Sequence, residues 1–337
     1  MSIYRPGLDE LRDAVDHELV RFLESIESQV DRSAPLLNEI RALLRAGGKR
    51  FRPAFCYWGY RAAGGPGGDD IIRVGASLEL LHTFALVHDD IMDASEERRG
   101  LTTVHRKLGL GTGLLVGDLA LVLADDLFMT SGFEAQALAR AFESYSRMRK
   151  QVIVGQHMEL ALTAADEVEE ADARLVARMK SGRYSIKEPL LIGACLGPRA
   201  EDVVSGLDDF GECLGEAFQI RDDLLGSFGR RPEVGKPVDS DIREGKKNIL
   251  FAKTVSGLSG SEREFFVGRW GGAEDLSNED VEQLRQLIVS SGGLSSTERL
   301  LGELKQRAQQ SLESISLDQE ARSALADLTE RVTSRNS

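Results

Sequence analysis

Apolar residues recur at three- and four-residue steps along almost the whole chain, and this spacing constrains the fold more than any other feature. In "LDELRDAVDHELVRFLESIESQV", Leu8, Leu11, Val15, Leu19, Phe22, Leu23 and Ile26 fall on one stripe of a helix. Segments of similar pattern occupy 69–95, 112–130, 133–163, 170–196, 200–227, 245–257 and 278–334, while alternating β-branched runs are missing. The chain is therefore expected to be all-α. Breaks are short: "AAGGPGGDD" at 62–70 reads as a glycine-rich turn, and "GRRPEVGKPVDSDIREGKK" at 229–247 is polar and rich in glycine and proline. A chain of 337 residues, 42% of them hydrophobic, has ample material for a large core. No linker long enough to separate two domains interrupts it, so 1–337 is read as a single domain.

The formal net charge of −13 argues against a general nucleic-acid binder and fits a cytoplasmic protein that reserves its basic residues for local sites. The N-terminal "MSIYRPGLDELRDAVDHEL" has no cationic segment followed by an apolar run, and nowhere are eighteen apolar residues consecutive. No export signal or membrane span is expected. Cys56, Cys195 and Cys213 form no C-x-x-C pair and are read as buried thiols rather than a disulfide framework or zinc site.

The segment "HDDIMDASEERRG", His88 to Gly100, crowds three aspartates together. On a helix Asp89 and Asp93 share nearly the same face, one turn apart, with Asp90 to the side. Like charges at that spacing cost a helix a few tenths of a kcal/mol, so a divalent cation or simple solvation must compensate. A second pair, Asp222 and Asp223 in "FQIRDDLLGSFG", has Gln219 within ~60° of Asp222. Where Asp93 sits in the first copy, this one has Gly226. Other adjacent pairs, Asp69-Asp70, Asp125-Asp126 and Asp208-Asp209, are assigned to turns or exposed faces.

Two cationic clusters accompany the acids. "GGKRFRP" at 47–53 puts Lys49, Arg50 and Arg52 after a flexible Gly47-Gly48, and Arg98-Arg99 follow the first acids. Arginine offers phosphate a planar fork and lysine a point charge, while Mg²⁺ takes one or two carboxylates plus phosphates and water. Acids that hold metal, and bases that hold phosphate beside it, form a coherent set. A single basic cluster could instead be paired with neighbouring acids on the surface, a reading that does poorly for all of them together.

Together, "GGKRFRP", "LLHTFALVHDDIMDASEERRG", "GQHMEL", "KSGRY", "FQIRDDLLG" and "GKPVDSDIREGKK" resemble the trans-isoprenyl diphosphate synthases, the head-to-tail prenyltransferases, in order from about residue 35 to 255. The detail of "DDLLGSFG" followed by "GKP" and "REGK" is similar to actinobacterial short-chain members. The resemblance implies a single helical bundle of the isoprenoid synthase type around a deep apolar cavity, with the two aspartate motifs facing each other across its mouth. It implies that Asp89 and Asp93 bind two Mg²⁺ and Asp222 a third, with Asp90 and Asp223 in support. Arg98, Lys180, Lys236 and Lys246 would grip the allylic diphosphate, with Gln219 lining that site. Lys49, Arg52, His82 and Arg99 would hold isopentenyl diphosphate. His82 lies seven residues before Asp89, two helical turns away on the same stripe. Gly226 departs from the family by removing the last acid of the second motif. Ser181 replaces a common Thr and Glu159 a common Asp, and both keep the functional group.

The implied chemistry is loss of pyrophosphate from an allylic diphosphate to give an allylic cation, attack by the isopentenyl double bond, and loss of a proton, with pyrophosphate as base. Segment 229–247, carrying Lys236 and Lys246, would close over the site. Phe84, five residues before Asp89, is bulky while Ala85 is small, and a lone aromatic there accompanies geranylgeranyl diphosphate in the family. Twenty carbons is the expected product length, with farnesyl or longer products as alternatives within the class. A class I terpene cyclase and a non-catalytic partner subunit are the outside readings, against which "GGKRFRP" and the intact acids stand. Family members are usually homodimers.

Overall fold

The computed structural model describes residues 7–165, 167–229, 239–272 and 276–334. Among the described residues the regular secondary structure is helical apart from one two-stranded ribbon. Its contacts divide it into two compact units, Met1–Glu143 with Pro189–Asp202, and Ser144–Glu188 with Val203–Ser337.

In the first unit, α1 (Leu8–Gln29) buries Leu11, Val15, Leu19, Leu23 and Ile26, the stripe expected from its spacing, while Leu8 and Phe22 stay half-buried. It is followed by α2 (Ala34–Arg45), α3 (Phe51–Ala62) and α4 (Asp69–Met92). Along its middle α4 has no polar face: Ile71, Val74 and the whole run Gly75–Leu81 are buried, and it packs against α1, α2 and α3. A helix apolar all round belongs in a protein core or a membrane. Among the described residues α4 is the one helix long and apolar enough to cross a membrane, and 61% of its most apolar stretch is buried inside the protein.

After Met92 the helix stops; Asp93 caps it and Ala94 takes φ of 50°. The chain then forms β1 (Glu97–Arg98) and β2 (Leu101–Thr102), paired antiparallel with Arg98 opposite Leu101. Arg99 at φ 53° and Gly100 at φ 78° make the two-residue turn, the backbone signs that a tight hairpin requires. The remaining helices of this unit are α5 (Val104–Leu108), α6 (Leu110–Met129), which packs along α4, and most of α9 (Glu188–Leu196). Helix α7 (Ala135–Ala164) begins here and ends in the second unit.

The second unit contains α8 (Glu170–Val176), a π-wound segment (Ala177–Lys187) and most of α10 (Ala200–Phe228). It continues through α11 (Ser240–Arg243), α12 (Ile249–Gly257), α13 (Gly260–Arg269), α14 (Asn278–Ser290), α15 (Gly293–Ser314) and α16 (Gln319–Thr333). Its core includes Ile220 and Leu224 of α10, Ile242 of α11, and the mutually packed rings of Phe251, Phe266 and Trp270, with centroids 5.1–5.7 Å apart. The Trp270 indole donates to the Lys246 carbonyl at 3.2 Å, tying the end of the polar 229–247 segment to that core.

Three differences from the sequence expectations have local causes. The helical stretch 170–196 is continuous but π-wound at its centre, which apolar spacing does not reveal. The stretch 278–334 is three helices, broken at Gly292 with φ 80° and at Asp318, whose carboxylate caps α16 by accepting from the Ala321 amide at 2.7 Å. Cys195 is half-buried rather than buried, whereas Cys56 and Cys213 are buried free thiols. The decoy acids lie on helices, Asp69 and Asp70 in the first turn of α4 and the rest half-buried or exposed on α6 and α10.

Candidate active site

The first acidic motif occupies the last turn of α4. Asp90 is buried at 3% exposure, and it holds Arg98, reached across the β1–β2 ribbon, through the guanidinium Nε at 2.8 Å and through Nη2. The same Nη2 lies 3.5 Å from Asp89 Oδ2. Burial pulls the Arg98 pKa down, but the Asp90 hydrogen bond and the charges of Asp90, Asp89 and Asp93 outweigh it and raise the net value. Asp93, at the helix cap, is half-buried, and its amide donates to the Asp89 carbonyl at 2.8 Å. Asp90 therefore serves here as the anchor that places Arg98 beside Asp89.

Arg99, one residue on, has entirely different neighbours. Its guanidinium donates to the Gly47 carbonyl and lies 3.5 Å from the Leu43 carbonyl. Gly47 sits at φ 97°, and a Cβ on Gly48 would come 2.8 Å from Arg50 Nη1 and 3.5 Å from Arg99 Nη2. The glycine pair is thus what lets the loop lie under two guanidiniums. Arg50 itself is turned inward: 4% exposed, it reaches Asp16 on α1 and Glu79 on α4 at 2.8 Å each, and the Leu44 carbonyl at the same distance. Of the three cations in "GGKRFRP", Arg50 builds the loop, while Lys49 is exposed and Arg52 half-buried.

His82 lies on α4 in the field of Arg52, Arg99, Arg98 and Arg50. Burial and those four positive charges hold its imidazole pKa well below the ordinary value, so it is neutral at pH 7. Burial and the charges of Arg50, Arg98 and Arg52 also lower Arg99, against the opposing pull of Glu79. Four guanidiniums gathered around one neutral imidazole favour an anionic ligand. Phe84, 8% exposed, meets the His88 ring edge-on at 4.8 Å, and Ala85 beside it is half-buried.

In the second unit, Asp222 and Asp223 lie on α10, half-buried and buried respectively. Gln219 Nε2 donates to Asp223 Oδ1 at 2.7 Å, whereas Asp223 Oδ2 is buried with no hydrogen-bond partner. Burial above all, then the charge of Asp241, raises Asp223 well above the usual carboxylate range, with the Gln219 bond opposing. Lys180 on the π segment pairs with Glu159 of α7, the residue that takes the place of the usual Asp. Lys246 pairs with Glu244 at 2.7 Å. Lys236 lies in the stretch 230–238, outside the described residues.

Sequence reasoning missed Glu79, Asp16 and Asp241. Glu79 had a signal, a lone acid in the apolar "SLELLHTFALV" three residues before His82. Asp16 and Asp241 carried none, because their partners are distant in the chain.

Paired aspartates holding an arginine, and a separate glycine-arginine loop open to an anion, are the equipment of an enzyme that handles diphosphates. The sequence matches the polyprenyl synthetase family over residues 34–288, and the chain belongs to that family. It is a prenyltransferase of the isoprenyl diphosphate synthase type. A geranylgeranyl diphosphate synthase of Sulfolobus acidocaldarius is 35% identical over 267 residues, 78% of this chain and 80% of that enzyme. A geranylfarnesyl diphosphate synthase of Aeropyrum pernix is 32% identical over 87% of this chain and 92% of its own length. The crystal structure of a geranylgeranyl pyrophosphate synthase from Corynebacterium glutamicum, complexed with isoprenyl diphosphate and magnesium, superposes with a TM-score of 0.94. It is 31% identical and covers 98% of this chain and 100% of its own. The all-α fold expected from the periodicity is the fold of these synthases.

Proposed function

We propose that this synthase condenses isopentenyl diphosphate with allylic diphosphates and stops at geranylgeranyl diphosphate. The observation that carries the reading is the division made by the β1–β2 turn: Arg98 lies against Asp89 and Asp90, and Arg99 against the Gly47-Gly48 loop. One position serves the leaving allylic diphosphate, the other the isopentenyl diphosphate.

The donors fit Mg²⁺. All are hard carboxylate oxygens, and Asp223 Oδ2 is buried with hydrogen-bonding capacity unused. Among the described residues no group of three or more His, Cys, Asp or Glu side chains forms a metal cage by itself. Mg²⁺ accepts such sparse sites, since one or two carboxylates suffice when substrate phosphates supply the rest. Asp89 and Asp93 would hold two ions and Asp222 a third, and the bound metal would neutralise charge developing on the departing pyrophosphate.

Arg98, Lys180, Lys236 and Lys246 bind the allylic diphosphate, Gln219 lines its site through the amide that also fixes Asp223, and Asp90 keeps Arg98 in place. Lys49, Arg52 and Arg99 bind isopentenyl diphosphate, and neutral His82 donates a hydrogen bond without adding a further charge. The released pyrophosphate accepts the proton lost at the end. Phe84 limits chain growth, with the small Ala85 leaving room for twenty carbons. Exposed Leu115, Val122 and Met129, spaced seven residues apart on α6, support a homodimer as the proposed assembly, with the cytoplasm as its proposed location.

Pyrophosphate release by purified protein tests the reaction. Release that needs Mg²⁺, an allylic diphosphate and isopentenyl diphosphate together is expected. Release from the allylic substrate alone would favour a cyclase and contradict the reading.

A further inference from the structure

The second acidic motif lacks its final acid in sequence, yet a carboxylate stands in that space. A Cβ built on Gly226 of α10 would lie 2.3 Å from Asp241 Oδ2 and 2.5 Å from its Cγ. The position four residues after Asp222 is thus filled from another element, the short helix α11. Asp241 is fixed there from several directions. Its carbonyl accepts from the Lys246 amide at 3.0 Å, and Asn248 Nδ2 lies 3.5 Å from its Oδ2. Its neighbour Ile242 is fully buried in the core of the second unit, with its carbonyl accepting from the Gly271 amide at 3.1 Å. Any side chain at 226 larger than hydrogen would displace this carboxylate.

A second observation points to a ligand. Asp223, 4% exposed, leaves Oδ2 without a hydrogen-bond partner, next to Asp222 in sequence and close enough to Asp241 to feel its charge. Buried carboxylate oxygens with no donor are costly unless something cationic or a donating water completes them.

We propose that Asp241 supplies the third carboxylate of the second acidic motif, replacing in space the acid that position 226 lacks, and that it positions Mg²⁺ at Asp222. The assignment rests on the diphosphate reading above. It also explains Gly226: the glycine is the vacancy that admits Asp241, and the propensity it costs α10, about 1 kcal/mol, is the cost of that exchange.

The test follows the Mg²⁺ concentration needed to raise the melting temperature of the full chain in the presence of inorganic pyrophosphate. Asp241→Asn, nearly isosteric, should need about 10- to 100-fold more Mg²⁺, the usual range when a carboxylate supporting a metal is removed. Asp241→Ala should behave alike, and Gly226→Asp combined with Asp241→Ala, which returns the acid to α10, should recover the native requirement. Melting temperatures without metal establish that each variant folds. If Asp241→Asn keeps the native Mg²⁺ requirement, or if the folded double variant is no better than Asp241→Ala, the assignment is overturned while the diphosphate reading stands. If the native protein shows no Mg²⁺-dependent rise with pyrophosphate, the diphosphate reading falls and the assignment with it.

Discussion

Arg98 and Arg99 are adjacent in the chain and share no hydrogen-bond partner. The turn between β1 and β2 assigns one to Asp89 and Asp90 and the other to the Gly47-Gly48 loop, and each should therefore matter for a different substrate. A charge-assisted hydrogen bond contributes about 1.5–3 kcal/mol, so Arg98→Ala should raise the KM for the allylic diphosphate roughly 10- to 100-fold and leave that for isopentenyl diphosphate little changed. Arg99→Ala should do the reverse, as steady-state titration of each substrate will reveal. Equal effects on both substrates would count against the division. His82 gives a pH signature. Its folded pKa is depressed, so its neutral form contributes stability that is fully present above the unfolded value near 6.5 and is lost as pH falls below it. Melting temperatures of the native protein should drop as pH falls below about 6.5, and His82→Gln should flatten that limb. The acids and both arginines were readable as a set from residue type and spacing. That Asp90 anchors Arg98 was not, because it depends on a reversal of the chain that no helical pattern encodes.

At the level of elements, the loop that carries Lys49 and Arg52 is held by α1 and α4 through one buried guanidinium. Arg50 and Glu79 are 4% and 3% exposed, and removing the Glu79 charge leaves the buried guanidinium only the more exposed Asp16 as an acidic partner. Glu79→Gln should lower stability by about 3–5 kcal/mol in denaturant unfolding and raise the isopentenyl diphosphate KM as the loop shifts. A stability change within error would show that the pair does not hold the loop. The α1 stripe was legible because five of its seven apolar positions face the core. The winding of Ala177–Lys187 was not, since a π segment uses the same residues as an α-helix and differs only in hydrogen-bond register. Asp241 shows the same limit: its role comes from an approach to Gly226 across fourteen intervening positions, part of them outside the described residues.

For the whole molecule, periodicity alone gave the helical class, and the motifs gave the chemistry. What spacing did not supply was the small ribbon, the breaks in the C-terminal helices, and which cations serve structure rather than substrate. The stripe on α6 carries one further expectation: Leu115→Glu should convert a dimer to a monomer in size-exclusion chromatography with light scattering, and a native protein already monomeric would remove that assignment. The most direct measurement is product analysis by chromatography, with Mg²⁺, isopentenyl diphosphate and five-, ten- or fifteen-carbon allylic primers, for the native enzyme and Phe84→Ala. The account predicts geranylgeranyl diphosphate from every primer with the native enzyme, and longer chains once Phe84 is shortened. A native product that stops at fifteen carbons, or a Phe84→Ala product unchanged in length, would contradict it.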